Sequence, residues 1–293
     1  MKREYDLKRR LRSLQTLGEA VSAMKSLSAR HFRETRSAVE PARVYREGVE
    51  RFLGWAGAGL PPGDGPAGLL VIGGELGLCG GYNAHLVTAG AARRMELGPG
   101  PTLCVGHRAG ALLARRDIEI GRVYAAPTSV RGIADLLLNL AEDVLQIYVT
   151  ERLASFDIVS SRFDGVGIDR PTGVRLLPLE TKPPETAPRV HYVSPARLAS
   201  AAVREYLYIV LYDLLLDALA SEHSARLVAT QAAEKWLEER TDRLRHHLAA
   251  TRREASTQEV IEIAAGARAR RRELPAQGPE HGDDLPEVPI GRW

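Results

Sequence analysis

The stretch Ser221-Glu222-His223-Ser224-Ala225-Arg226-Leu227-Val228-Ala229 lies inside a segment, Arg197 to Ala265, that contains neither proline nor glycine. Nothing in that segment breaks a helix, and at a rise of 1.5 Å per residue it predicts a helix roughly 100 Å long. Beyond Ala220 the segment is too polar to cross a bilayer. We therefore expect a shaft or a coiled coil, with a mechanical or connective role.

The composition is that of a soluble globular protein, with 44% apolar and 26% charged residues in 293. A formal net charge of +3 gives no argument for a nucleic-acid partner. Residues 1–36 are more basic than the rest, with ten Lys or Arg and four acids. This segment is either a solvated helix face or a surface for an acidic partner.

Cysteine content and hydropathy give information on the redox compartment and on membrane insertion. Cys79 and Cys104 are the only cysteines, and both stand in apolar surroundings. This pattern favours a reducing compartment and two small core residues. The chain opens on charged residues without a signal peptide, and no window of ~18 apolar residues predicts a membrane span.

Both ends of the chain carry heptad patterns. In the first predicted helix, Asp6 to Leu53, apolar side chains recur at Leu7, Leu14 and Val21, and Pro41 predicts a kink or a break. The long C-terminal segment repeats Leu237, Leu244 and Thr251 at the same spacing. We expect the two helices to pair antiparallel and bury these stripes.

The middle of the chain alternates strand and helix patterns. Such alternation predicts an inserted Rossmann-like α/β domain with parallel pairing. Predicted strands cover 69–72, 102–105, 156–163 and an edge strand at 174–179, and predicted helices cover 82–97, 109–115 and 130–153.

The predicted organisation has four parts. An N-terminal coiled-coil helix takes 1–57, the α/β insert takes 66–190, and the C-terminal coiled-coil helix takes 195–267. A Pro-rich linker precedes the last helix. The Arg- and Pro-rich tail, 268–293, has the composition of a disordered segment.

A glycine-rich loop, residues 73–83, follows the first predicted strand and precedes a helix. It could cradle phosphate, but it has neither the G-x-G-x-x-G spacing nor a Gly-Lys-Ser/Thr ending. The glycines instead favour a tight turn with close backbone contact, within the fold or with a partner. No bound cofactor is expected.

Other reactive residue types form no catalytic or metal constellation. Cys79 has no neighbouring base in sequence, and Glu142-Asp143 fits a solvated helix face. His223, His246 and His247 lack metal-ligand spacing and are expected at the surface or against a partner. We therefore expect neither a catalytic nor a metal site.

Taken together, these segments resemble the γ subunits of F-type ATP synthases. The likeness covers about residues 5–267 and rests on three motifs in order. They are Lys8-Arg9-Arg10-Leu11-Arg12-Ser13-Leu14 with Ala23-Met24, then Gly77-Leu78-Cys79-Gly80-Gly81-Tyr82-Asn83, then Leu219-Ala220-Ser221-Glu222-His223 with Ala225-Arg226, Thr257-Gln258-Glu259, Glu262-Ile263 and Ala265-Gly266.

The resemblance implies a non-catalytic central rotor that couples ion flow to conformational change at the β subunits. Implied partners are the α and β subunits, the ε subunit and the membrane ring of c subunits, around a single copy of this chain. The implied location is the cytoplasmic side of a bacterial inner membrane. Residues implied to contact β are Met24, Lys25, Arg252, Arg253, Thr257 and Glu259, and those implied in the insert loop near the foot of the stalk are Gly77, Leu78, Cys79, Gly80, Gly81 and Asn83.

Several positions depart from the family pattern. Arg253 stands where a glutamine is usual, Val21 replaces a threonine, and Leu27-Ser28-Ala29 is a weakened match. The chain also continues 26 residues past 267. These departures favour a divergent paralogue, such as the γ subunit of an alternative F-type ATPase, with either proton or sodium coupling.

Two other classes of function remain open from the residues alone. A nucleotide-using α/β enzyme with helical arms predicts nucleotide binding by the isolated chain. A coiled-coil scaffold predicts self-association without α and β subunits. Neither accounts for the three motifs together.

Overall fold

The computed structural model describes residues 2–179 and 194–273. Within them the chain forms two compact units, one from residues up to Leu14 together with those from Glu239 onward, the other from Gln15 to Glu238. Predicted features at 180–193 and 274–293, which include most of the linker and of the tail, lie outside the described residues.

Two long helices, α1 (Lys2–Trp55) and α5 (Pro195–Glu273), belong to both units. In the larger unit they run antiparallel, because Lys25 bonds to Glu234 whereas Arg43 bonds to Asp217. In the smaller unit Glu4 pairs with Arg252. The predicted antiparallel pairing is thus confirmed in the larger unit, and in the smaller unit the two helices are in contact.

Helix α1 continues through Pro41, so of the two predicted alternatives the break is wrong and the kink stays a prediction. A proline inside a helix removes one backbone hydrogen bond and costs about 3 kcal/mol. Its neighbours Val39 and Ala42 are buried in the main apolar core, and their packing offsets that cost. Helix α5 likewise continues to Glu273, six residues past the predicted boundary at 267.

The α/β segment between the long helices contains a five-stranded sheet in the order β3-β2-β1-β4-β5. Strands β1 to β4 pair in parallel and β5 runs antiparallel to β4 at the edge. Its elements are β1 (Gly65–Ile72), α2 (Tyr82–Leu97), β2 (Thr102–Val105), α3 (His107–Ala114), β3 (Arg122–Tyr124), α4 (Val130–Thr150), β4 (Leu153–Phe163) and β5 (Asp169–Leu177).

The sheet is covered on both faces, as a mostly parallel sheet requires. Alternate residues of β1 point to opposite sides. Leu69 and Val71 pack with α2 and α3, whereas Leu70 and Ile72 pack with α4 and the long helices. Both cysteines are buried, as predicted.

None of the helices within residues 2–179 and 194–273 combines the length and apolar character needed to cross a bilayer.

Candidate functional site

The glycine-rich loop and the Ser221–Ala229 stretch of α5 form one buried contact. Arg226 is only 1% exposed. Its Nε donates to the carbonyl oxygen of Gly77 at 2.9 Å, and its Nη2 donates to that of Leu76 at 3.2 Å. The guanidinium also bonds to the Glu222 carboxylate one helical turn earlier. One side chain therefore fixes two successive carbonyls of the loop.

Glu222 lies against the backbone of the same loop. A Cβ at Gly74 would lie 2.5 Å from Cδ of Glu222, so a larger residue there would displace the carboxylate that pairs with Arg226. The Gly74 amide donates to Oδ1 of Asn83 at 2.8 Å. Burial raises the pKa of Glu222, and the Arg226 guanidinium opposes that rise. At Gly74, the close contact predicted for the loop glycines is therefore made within the fold.

At its tip the loop holds a strained and exposed leucine. Leu78 has φ of 61° and is 50% exposed. A branched side chain is costly in this left-handed region and persists only where the surroundings impose it. Gly80, at φ of 58°, follows it. Arg226 binds the carbonyl oxygens of Leu76 and Gly77, the two residues immediately before Leu78. The backbone that leads into the exposed tip is therefore held in place.

His223 is buried, at 3% exposure, and the expectation of a surface position is wrong. Its Nε2 lies 3.2 Å from the Thr128 carbonyl oxygen, and its Nδ1 lies 3.2 Å from Nη1 of Arg226. Arg226 can only donate, so Nδ1 accepts and Nε2 carries the proton. Burial, the Arg226 charge and the nearby His31 ring together lower the pKa of His223 to about 4.

This arrangement predicts a loss of stability on mild acidification. Between an unfolded pKa of 6.5 and a folded pKa of about 4, the unfolded chain binds a proton at His223 that the folded chain does not. The free energy of unfolding should therefore fall as pH drops through that window, by up to about 3 kcal/mol. Urea unfolding of the wild type and of His223→Gln across this range measures the difference, since glutamine keeps one N–H donor group and one oxygen acceptor and does not titrate.

The comparison isolates His223 because Glu222 is present in both proteins. The raised pKa of Glu222 acts in the opposite direction, adding stability as pH falls towards its ordinary value. The matched control is His246→Gln, at an exposed position of α5. A wild type and a His223→Gln variant with parallel pH profiles would contradict the buried neutral imidazole.

The predicted contact residues of α1, Met24 and Lys25, lie towards the end of the larger unit at which α1 enters it, about ten residues after Gln15. Both are partly buried. Nζ of Lys25 bonds to Glu234 of α5 at 2.5 Å, and this bond lowers the pKa of Glu234. Lys25 thus has an intramolecular partner, and Met24 stands beside it.

The predicted contact residues of α5 lie in the smaller unit, which is described by itself. Nε of Arg252 donates to Glu4 at 2.9 Å, and Thr257 donates to the Arg253 carbonyl oxygen at 2.9 Å. Arg253 and Glu259 are exposed. Three large apolar side chains in the same stretch are also exposed: Val260 at 65%, Ile261 at 56% and Ile263 at 66%.

The two cysteines and the acidic pair of α4 have structural surroundings. Burial raises the pKa of Cys104 to about 12 and also raises that of Cys79, so both remain thiols near neutrality. Asp143, expected on a solvated face with Glu142, instead accepts hydrogen bonds from Arg122 and Tyr124. In the described part of the chain, no three His, Cys, Asp or Glu side chains cluster as metal ligands would.

The contact between the glycine-rich loop and α5 joins two of the sequence motifs. Sequence similarity to known proteins extends over nearly the whole chain. A family model described as ATP synthase matches residues 4–269. The ATP synthase gamma chain of Moorella thermoacetica is 31% identical over 276 residues, which are 89% of this chain and 97% of that protein. This chain belongs to the ATP synthase gamma chain family.

Another gamma chain is similar in sequence, and two solved structures share the fold. The gamma chain of Desulforamulus reducens is 27% identical and covers 90% of this chain and 98% of its own length. A chain in the mitochondrial ATP synthase of Euglena gracilis (OSCP/F1/c-ring) shares the fold with a TM-score of 0.67, at 15% identity, over 96% of this chain and 99% of its own. A chain in the central stalk and c-ring structure of Tetrahymena thermophila mitochondrial ATP synthase has a TM-score of 0.58 at 18% identity, over 73% of this chain and 99% of its own.

Sequence reasoning found both motifs of this gamma chain but missed how they are joined. The sequence motif alone predicts no role for Arg226. The one available signal is that Glu222 stands one helical turn before Arg226, since opposite charges at that spacing can pair on a helix. The loop partners of Arg226, Leu76 and Gly77, lie about 150 residues away and could not be named in advance.

Proposed function

We propose that this chain is the central rotor stalk of an F-type ATP synthase, a non-catalytic subunit that couples ion flow to ATP synthesis or hydrolysis on β. The observation that carries the proposal is the match to ATP synthase gamma chains over almost the full length of both chains. Rotation of an asymmetric stalk would favour a different β conformation at each angle through differential contact.

The proposed partners follow from the family. They are the α and β subunits around the helix pair, with the ε subunit and the c ring at the α/β segment, and one copy of this chain in each complex. The proposed location is the cytoplasmic side of a bacterial inner membrane. Either protons or sodium ions are compatible with this role, in an ordinary or an alternative F-type ATPase.

The α5 stretch from Arg253 to Glu273 supports a role as the contact tip. Its Arg253, Glu259, Val260, Ile261 and Ile263 are all exposed. Apolar side chains grouped in this way mark an interaction surface. We propose that Arg252, Arg253, Thr257 and Glu259 bind a loop of β, and that Met24 and Lys25 face the lower part of β.

Co-expression with the neighbouring α and β subunits tests the rotor role. A stable complex with one copy of this chain, and ATP hydrolysis that depends on it, is the expected result. The scaffold alternative would be supported if this chain formed homodimers. The α and β subunits would then assemble and hydrolyse ATP equally well with and without it. Nucleotide binding by the isolated chain would support the enzyme alternative.

The contact residues at the tip are tested by a double variant. Replacing Thr257 and Glu259 by alanine removes groups expected to bond to β. We expect ATP hydrolysis by the reconstituted complex to fall at least about tenfold, because two hydrogen bonds are lost and one of them involves a charged carboxylate. The control is Glu254→Ala, an exposed acid on the same stretch that is outside the proposed contact. Equal activity of both variants would contradict the proposed contact with β but would not contradict the rotor role.

A further inference from the structure

Five large apolar side chains are exposed around one side of α5 in the larger unit. Two belong to α5 itself, one to the tip of the glycine-rich loop, and two to the turn between β4 and β5. Each is between 43% and 57% exposed: Leu78, Val166, Ile168, Val228 and Trp236. We call this set the Val228 surface.

Contacts with α5 bring the loop and the turn together. The Gly167 amide, in the β4–β5 turn, donates to Oγ of Ser224 at 2.8 Å, and a Cβ at Gly167 would lie 3.2 Å from Cγ2 of Val228. A Cβ at Gly80 would lie 3.9 Å from Cβ of Ala229, so the loop borders the same part of α5. Exposed apolar side chains grouped in this way mark an interaction surface.

The backbone around this surface is fixed by hydrogen bonds. Arg226 holds the loop carbonyls that precede Leu78. Nδ1 of His85, in the first turn of α2, lies 2.7 Å from Oδ2 of Asp169, where β5 begins. A partner therefore meets apolar side chains that need little further ordering, which lowers the entropic cost of binding.

The fold alone does not explain the leucine at position 78. At φ of 61° glycine would carry none of the strain that leucine carries. The Leu78 side chain also leaves half of its surface in water. Stability by itself therefore favours glycine at this position, and a contact with a partner accounts for the leucine.

The shape of the Val228 surface suits a helix. Val228, Ala232 and Trp236 recur every four residues, so they line one side of α5 over about 12 Å. The alanines at 229 and 232 are small, and small side chains let a second helix approach closely. A helix with an apolar face could lie along α5 between the loop tip and the β4–β5 turn.

Two basic side chains at the border of the surface are unpaired. The Arg108 guanidinium lies beside Gly77, 3.0 Å from where a Cβ would stand, and Lys235 precedes Trp236. Both are exposed, and in the part of the chain that the structure describes neither pairs with an acid.

The β4–β5 turn adds to this positive charge. Arg162 and Arg170 share a single carboxylate, Asp164, at 3.6 and 3.7 Å. With Asp169, the border thus has four basic and two acidic side chains. A second copy of the chain would bring like charges together, whereas an acidic partner would be attracted.

We propose that the Val228 surface binds an amphipathic helix of a partner protein whose apolar face is flanked by acidic residues. The apolar face would cover Leu78, Val228 and Trp236. Its carboxylates would pair with Arg108 and Lys235. The proposal does not depend on the rotor role.

The test uses the full chain and two designed helical peptides that share one leucine-rich face. One peptide carries glutamates beside that face and the other carries lysines. Trp236 reports binding, because its half-exposed indole should emit at shorter wavelength once it is covered. The glutamate peptide should produce a saturable shift, and the lysine peptide should produce none. Trp236→Phe should abolish the shift, which assigns the signal to this residue.

Two variants and a control measure the contribution of single side chains, with affinities taken from peptide titration by calorimetry. Leu78→Gly should weaken binding of the glutamate peptide about three- to tenfold, while its stability in urea stays equal or rises. A residue with only a structural role would not separate the two readouts. Trp236→Ala should weaken binding at least about tenfold. Met95→Ala, at an exposed apolar position of α2 outside the surface, should change neither readout.

Three results would overturn the proposal: equal affinity for both peptides, binding of neither, or wild-type affinity in Leu78→Gly and Trp236→Ala. Two others would replace the occupant and overturn it as well. Dimers of the chain that dissociate in Trp236→Ala would assign the surface to a second copy. Binding of phosphatidylglycerol vesicles in place of the glutamate peptide would assign it to a lipid surface.

Discussion

Replacing Arg226 by methionine is expected to lower the free energy of unfolding by about 3–5 kcal/mol, because it leaves the buried Glu222 carboxylate unpaired. It also removes both donors to the Leu76 and Gly77 carbonyls. Urea unfolding at pH 7.5, followed by circular dichroism, measures the change. Arg204→Met, at an exposed position of the same helix, should change stability by less than about 0.5 kcal/mol.

A second substitution tests the cause of that loss. Adding Glu222→Gln to Arg226→Met removes the unpaired charge, so the double variant should be more stable than Arg226→Met alone. Purely additive losses would mean that the charge is not what destabilises the single variant. The loss would then come from packing of the arginine stem and the loop carbonyls.

Replacing Leu137 by alanine is expected to cost about 2–5 kcal/mol, since it empties space in the main core. Leu137 is 0% exposed in α4, where it packs in the core shared by the sheet and the long helices. Its neighbour Leu138 is 64% exposed, so Leu138→Ala supplies a control with the same chemical change.

The two leucine variants are compared by urea unfolding under identical conditions. Leu138→Ala should stay within about 0.5 kcal/mol of the wild type. Similar losses in both variants would show that α4 packs with a different face than the structure gives. The pair therefore tests the orientation of α4 as well as the depth of the core.

Patterns that are local in sequence predicted the elements well. The helix at 82–97 has its predicted bounds, since glycines flank both ends, and the strand at 102–105 is a short apolar run. Strand β3 was missed because it has three residues and only Tyr124 is buried. A strand of that kind exists through pairing with β2, which no local pattern reports.

The site was less predictable because its contacts join distant parts of the chain. The polar residue His223 looked like a surface residue, and its burial depends on the Thr128 carbonyl 95 positions away. The ion pairs that link α1 to α5 span between 167 and 248 positions. Heptad spacing predicted that the helices pair but not which charges meet.

The contact between Arg226 and Gly77 also determines when the glycine-rich loop can fold during synthesis of the chain. The two residues are 149 positions apart, and the loop is made first. At 5–20 residues per second, a ribosome needs about 7–30 seconds to reach the arginine after the glycine. During that interval the nascent loop lacks the donors that fix its carbonyls, whereas β1 and β2 on either side can already pair. The glycine-rich loop therefore acquires its native conformation only after much of the sheet has been translated.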